Sequence, residues 1–328
     1  LVLLIEPFWV QHGGMSTTHR AAVAGALGMT FVGGSVAVSG VLADAPMHTA
    51  QAVRYGIACA LLVGWARLTG RALHRPRGAE WLWLTGVAVT GLVVFNLALV
   101  HGSRHAEPAV LAVAVACVPV ALAAVGPVME GRPPSARVLV AAAVVSAGAV
   151  IVEGLGRADA TGLGWALVVF ACEAGFTLLA MPVLGRHAAV GVSVHSTWMA
   201  ALVFAALGAG TEGVWAATRL TTADLLAVGY LAVGVTAVAF ILWYTCVATL
   251  GAGRAGLLTG IAPVAAAVTG IPLTGGAPGP AVWAGTALIT AGLGLGLSAR
   301  AGSPPVHTVP EAVRPRGDLV GELPGDGV

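Results

Sequence analysis

Apolar stretches of about 20 residues recur along the whole chain, separated by short runs that hold Arg, Glu, Pro and Gly. At 1.5 Å per residue, a helix of that length crosses a hydrocarbon layer of ~30 Å. Reading hydropathy against the charged and Pro/Gly breaks places helices over 21–42, 47–66, 81–100, 107–128 and 136–153, and then over 162–184, 190–208, 224–249, 253–273 and 280–299. The pattern predicts an all-α integral membrane protein with ten transmembrane helices and loops too short to hold a globular domain.

Composition agrees. Of the 328 residues, 58% are hydrophobic and 9% charged, and mean hydropathy is +0.91, whereas a soluble domain is roughly a quarter charged. The net charge of +2 is small and scattered, so no nucleic-acid surface is expected. Every basic residue is Arg, and with the Ala and Gly bias this points to a GC-rich bacterial genome. Cys59, Cys117, Cys172 and Cys246 each lie inside an apolar stretch and read as small packing residues, with neither disulfide nor zinc spacing. No cofactor or metal motif is present.

The ends read differently. Residues 1–20 are expected to form a cytoplasmic N-terminal segment. Within it, Leu1 to Val10 contains Glu6 and makes a poor signal peptide, whereas Met15-Ser16-Thr17-Thr18-His19-Arg20 looks like a natural start, so 1–14 read as an upstream extension. Residues 300–328, rich in Pro, Gly and charge, are expected to be a disordered cytoplasmic tail.

Orientation follows from the arginines, because cytoplasmic loops retain positive charge. With the N-terminus inside, twelve arginines fall on the inner side, led by Arg67, Arg71, Arg75 and Arg77. Only Arg104, Arg157 and Arg219 fall outside. Both termini are therefore expected in the cytoplasm of a bacterial inner membrane.

The two halves echo one another. Cys117-Val118-Pro119-Val120-Ala121 corresponds to Ile261-Ala262-Pro263-Val264-Ala265, 144 positions further on, and Gly131/Gly275, Pro134/Pro278 and Ala147-Gly148/Ala291-Gly292 keep that displacement. Residues 21–153 and 162–299 thus read as two five-helix repeats. Five is odd, so the second copy enters the membrane in the opposite sense. Such an inverted repeat makes inward-open and outward-open states nearly equal in energy and points to alternating access around a mid-membrane site.

These features together resemble the drug/metabolite transporter superfamily, in its EamA-type, ten-span form. The residues that carry the resemblance are the Pro46...Arg54 opening of the second span, the helices bearing Pro119 and Pro263, and the helix-ending Met129-Glu130-Gly131-Arg132. The second half departs at Thr274-Gly275-Gly276, where many relatives keep a Glu. The resemblance covers residues 20–299 and implies movement of a small metabolite, amino acid or drug, with export the favoured direction.

Five residues are candidates for a substrate or proton pathway. Glu173, about halfway along the sixth span, would be expensive to ionise there and should face the bundle interior, where it binds a cationic group, carries a coupling proton or is a hydrogen-bonded structural acid. Arg54, about 10 Å below the outer end of the second span, lines a cavity and meets an anionic group, snorkels outward, or pairs with Glu173 or Glu107. Asn96 reaches a similar level and either binds substrate or joins helices. His195 reads more readily as a packing residue than as a proton relay. Tyr244, beside Trp243, belongs to a cavity wall or to an interfacial aromatic belt, and the belt is the preferred reading, as it is for Trp81, Trp83 and Trp283. His101, His105 and Glu107 have spacing compatible with a metal site but no further clear ligands. Gly25, Gly28, Gly33 and Gly34, like Gly285, Gly292, Gly294 and Gly296, serve close backbone approach rather than phosphate binding.

The rival functions are a membrane-embedded enzyme and a non-transporting receptor or scaffold. The sequence has no His-Glu-x-x-His, and Gly33-Gly34-Ser35-Val36-Ala37 misses the nucleophile-elbow pattern at its last position. The expected partners are a small-molecule substrate, protons and the lipid bilayer. Small-residue faces permit a homodimer without requiring one.

Overall fold

The computed structural model describes residues 16–274 and 278–298. The 1–14 extension, the 300–328 tail with Arg300, Arg314 and Arg316, and the Gly131/Gly275 match all involve residues outside that set. Hydrocarbon offers backbone N–H and C=O groups no partners, so apolar segments that cross it must satisfy them internally, as helices do. Among the described residues the chain forms ten helical rods, each coinciding with one predicted segment. They are α1 (Thr17–Ser39), α2 (Met47–Leu68), α3 (Glu80–Gly102), α4 (Pro108–Met129) and α5 (Ala136–Glu153), then α6 (Ala160–Leu178), α7 (Met181–Thr211), α8 (Thr222–Leu250), α9 and α10 (Pro280–Leu297). The ninth rod is built from Ala252–Gly256, Leu257–Gly260 and Ile261–Thr274. Eight of the ten, α3 to α10, are long and apolar enough to cross a membrane. In α2, Gln51 and Arg54 interrupt the apolar run.

The rods alternate in direction. The end where α1 begins is called proximal here and the other end distal. α1 packs on α8 and α9, while α6 packs on α3 and α4. α2 crosses α7 and α8, and α7 also lies against α3. α4 meets α9, and α5 runs against α10 over its length. Irregularities also recur: α3 carries a π-helical stretch at Ala88–Val94 and α8 one at Leu231–Val238, and α4 breaks at Cys117 just as the ninth rod restarts at Ile261.

Without a hydrophobic drive between helices in lipid, packing depends on close approach by small residues. A Cβ on Gly33 would fall 2.3 Å from the Ala262 carbonyl oxygen, and one on Gly28 3.3 Å from that of Ala239, so both positions of α1 touch neighbouring backbone. Gly294 differs, with nothing within 4 Å. All four cysteines are free thiols, Cys172 and Cys246 fully buried.

One boundary differs from expectation. The predicted sixth span continues to 184, but α6 stops at Leu178 and a short helix starts at Met181-Pro182, where proline fits the first turn. At Ala188 the backbone takes φ 52° and ψ 176°, which turns the chain before the membrane-length part of α7. Glu173 consequently lies in the last third of α6, five residues from its end, rather than halfway along.

At the distal end, Glu212 follows α7 and caps α2. Its carboxylate accepts from the backbone N–H groups of His48 (2.8 Å) and Thr49 (2.9 Å), from the Thr49 hydroxyl (2.7 Å) and from the His48 ring (3.0 Å). Burial raises its pKa, but the hydrogen bonds from Thr49 and His48 outweigh this and leave it below the usual carboxylate value. A depressed folded-state pKa adds stability above the unfolded value of roughly 4.3, and that stability is lost as pH falls through the folded value. Glu212→Ala should cost about 1–2 kcal/mol, the usual size of a lost N-terminal cap. In detergent melts, Glu212→Gln should lose less and should flatten the acid limb that the wild type shows below about pH 4.

Candidate functional site

The five sequence candidates fall into three places. Arg54 and Asn96 are brought together in the distal half of the bundle, joined by Gln51, Tyr55 and Thr236, which sequence reading did not single out. Arg54 Nε donates to Thr236 Oγ1 (2.9 Å) and Nη1 to Gln51 Oε1 (3.3 Å). Gln51 Nε2 donates to Asn96 Oδ1 (2.9 Å), and Asn96 Nδ2 donates to the Tyr55 hydroxyl (2.9 Å). The guanidinium carbon lies 5.1 Å from the centre of the Tyr55 ring, which stacks on Phe204 at 5.9 Å.

The π-helical stretches explain why these groups fit. Thr236 Oγ1 also donates to the Leu231 carbonyl, five residues back, and Asn96 Nδ2 to that of Leu92. Side chains thereby occupy carbonyls of the widened helix turns, and π-bulges are frequent at functional sites. Gln51 lies one turn before Arg54, so the spacing of the two on α2 was a usable signal. Thr236 had none, because an isolated Thr in an apolar run is common.

Glu173 and Tyr244 occupy the proximal half. Glu173 is half-buried and has no hydrogen bond or ion pair among the described residues, while Tyr244 is fully buried within its electrostatic reach. Tyr244 donates its hydroxyl to the Phe176 carbonyl (3.2 Å), and Trp243 Nε1 donates to Thr177 Oγ1 (3.1 Å). The belt reading of these two aromatics is corrected: at 3% and 0% exposure they belong to the core between α6 and α8. Trp81 and Trp283 do lie exposed near helix ends, at 39% and 63%.

His195 joins neither group. Its Nε2 meets the His74 carbonyl (3.0 Å) and its Nδ1 accepts from Trp198 Nε1 (3.2 Å), which engages both ring nitrogens and ties α7 to the loop before α3. Nearby, Glu80 accepts from Arg186, from His187 Nε2 (3.1 Å) and from the Arg77 N–H (2.8 Å). His101, His105 and Glu107 have separate partners, namely the Leu97 carbonyl, Asp159 and Arg157.

A cavity of about 1080 Å³ opens at the proximal end, lined among others by Thr18, Glu130, Arg132, Ser135, Thr249 and Arg254. Arg132 pairs with Glu130, whereas among the described residues Arg254 donates to the Leu297 carbonyl (2.6 Å) and to no acidic side chain.

Apolar helices of spanning length, packed around an apolar core that holds a few linked polar groups, define a multi-pass membrane protein. Residues 19–153 match the sequence profile of the EamA-like transporter family. That stretch of the chain is similar to a family of membrane transporters within the drug/metabolite transporter superfamily. Curated protein sequences give no match. Among solved structures, a protein crystal structure superposes with a TM-score of 0.71, covering 84% of this chain and 95% of that one at 19% identity, a likeness of fold.

Proposed function

We propose that all ten helices cross a bacterial inner membrane as two inverted five-helix halves, with both termini cytoplasmic. On this reading the protein exports a small metabolite, amino acid or drug-like compound by alternating access, coupled to protons. The observation that carries the reading is reciprocal packing between α5 and α10. A Cβ on Gly148 would lie 2.8 Å from the Gly285 carbonyl oxygen, and one on Gly292 would lie 3.1 Å from that of Ala141. Adding 144 converts 148 into 292 and 141 into 285, so each contact is the image of the other. Helix pairs behave alike: exchanging each helix of the first half for its counterpart turns the α1–α8 contact into α6–α3 and the α1–α9 contact into α6–α4. An in-plane pseudo-two-fold lets two such states lie near one another in energy.

With the proximal end cytoplasmic, the 1080 Å³ cavity opens inward. Glu212 on His48 and Thr49, and Glu107 on Arg157, then tie the helices together at the outer end. Arg54 with Asn96, and Glu173 with Tyr244, are the groups we assign to substrate and proton. The test is counterflow in liposomes reconstituted with the full chain, using labelled amino acids and small organic acids, amides and amines. Saturable, compartment-dependent uptake above protein-free vesicles is expected. Chemical conversion of the probes with no flux would replace the transporter reading with an enzyme.

A further inference from the structure

Ionic pairing among the described residues is concentrated at the bundle ends. Glu80 serves Arg186 and His187, Glu107 serves Arg157, Glu130 serves Arg132, Asp159 serves His105 and Glu212 serves His48. Arg54 is different. It sits seven residues into α2, about 10 Å from that helix's distal end, and no acidic side chain among the described residues pairs with it. A guanidinium stays charged, and at this depth its charge is costly without an anionic or strongly polar environment.

Its surroundings orient the group without neutralising it. Thr236 and Gln51 accept two of its N–H bonds, the Tyr55 ring flanks it, and Gln51 is itself fixed by Asn96. The guanidinium has five N–H donors in a rigid plane, so three are uncommitted among the described residues. A planar fork of that kind matches a carboxylate in bidentate geometry. Charge also decides the valence. One unpaired cation is balanced by a monoanion, whereas a dianion would leave net charge in the hydrocarbon interior. The cavity at the proximal end carries a second arginine, Arg254, that pairs with no acid among the described residues, so the net character of its described lining also favours anions.

We propose that Arg54, positioned by Gln51, Thr236 and Tyr55, recognises the carboxylate of a small monoanionic substrate. This rests on the transport reading above and narrows its substrate to one chemical class.

The test uses the full chain in liposomes and a panel of C3–C6 aliphatic and aromatic monocarboxylates, each with the amide and the amine of the same carbon skeleton. Wild type should move carboxylates at least tenfold faster than the matched amides and amines at equal, subsaturating concentration. Arg54→Gln should abolish that preference. Should Arg54→Gln fail to give a monodisperse protein, Arg54→Lys decides: it keeps a charge but loses the fork, and the carboxylate concentration for half-maximal flux should rise at least tenfold. Unchanged half-saturation in Arg54→Lys, or a carboxylate preference that survives in Arg54→Gln, overturns the assignment. Flux of amines or amides in preference to carboxylates also overturns it while leaving transport standing, and no flux of any panel member overturns both.

Discussion

Replacing Gly285 by alanine should separate α5 from α10 and destabilise the protein by about 1–3 kcal/mol, the range of overpacked cores. The added Cβ would lie 2.5 Å from the Gly148 carbonyl oxygen, 2.7 Å from Val152 Cγ2 and 3.1 Å from Val152 N. Two of those three atoms are backbone, so no rotamer change relieves the clash and the helices must move apart. Gly294, on the same helix, supplies the control. With nothing within 4 Å, Gly294→Ala should be neutral or stabilising by about 0.5–1 kcal/mol, the helix-propensity gain of Ala over Gly. Melting of the purified variants in one detergent checks both. Equal melting temperatures would mean that the α5–α10 contact is not a close backbone packing.

The second large effect concerns Glu173. Glu173→Gln keeps the shape of the side chain and removes its ability to take up and release a proton. In liposomes holding a pH-sensitive dye, substrate-dependent proton movement should fall at least tenfold while downhill counterflow of substrate persists. Glu173 is suited to this because no Arg or His among the described residues pairs with it, which leaves no fixed cation to hold its charge. Expression should not suffer, since the variant also removes the cost of an ionised carboxylate within a span. Proton movement equal to wild type would remove Glu173 from the proton coupling proposed above.

The two predictions test different kinds of knowledge. Gly285 was marked by sequence as a glycine in an apolar helix, which implies close approach. Which backbone it approaches depended on α10 lying along α5, a contact between residues more than a hundred positions apart. Glu173 was visible because an acid inside an apolar stretch is rare. Its depth was misjudged, because the hydropathy window ran on through Met181-Pro182 and hid the end of α6 at Leu178. Trp243 and Tyr244 were assigned to the interface because aromatics near a span end are common there. Their burial follows from α8 running through the middle of the bundle, against α1, α2 and α7, and helix order alone cannot reveal this.

By itself the sequence determined the medium, the helices and, apart from the α6–α7 junction, their approximate ends. These depend on local hydropathy and on backbone hydrogen bonds closed within each segment, so 20-residue windows contain the needed information. It also showed the 144-residue echo, because Pro, Gly and break positions recur in order. Only the tertiary structure decided which polar side chains meet. Arg54 and Asn96 were candidates in isolation, but their link through Gln51, with Thr236 arriving from α8, required three helices to converge. His195 likewise became a clasp only once the His74 carbonyl was placed beside it. In an apolar bundle a polar residue's role is set by its partner across the helix interface, and that partner is fixed by packing rather than by neighbours in the chain.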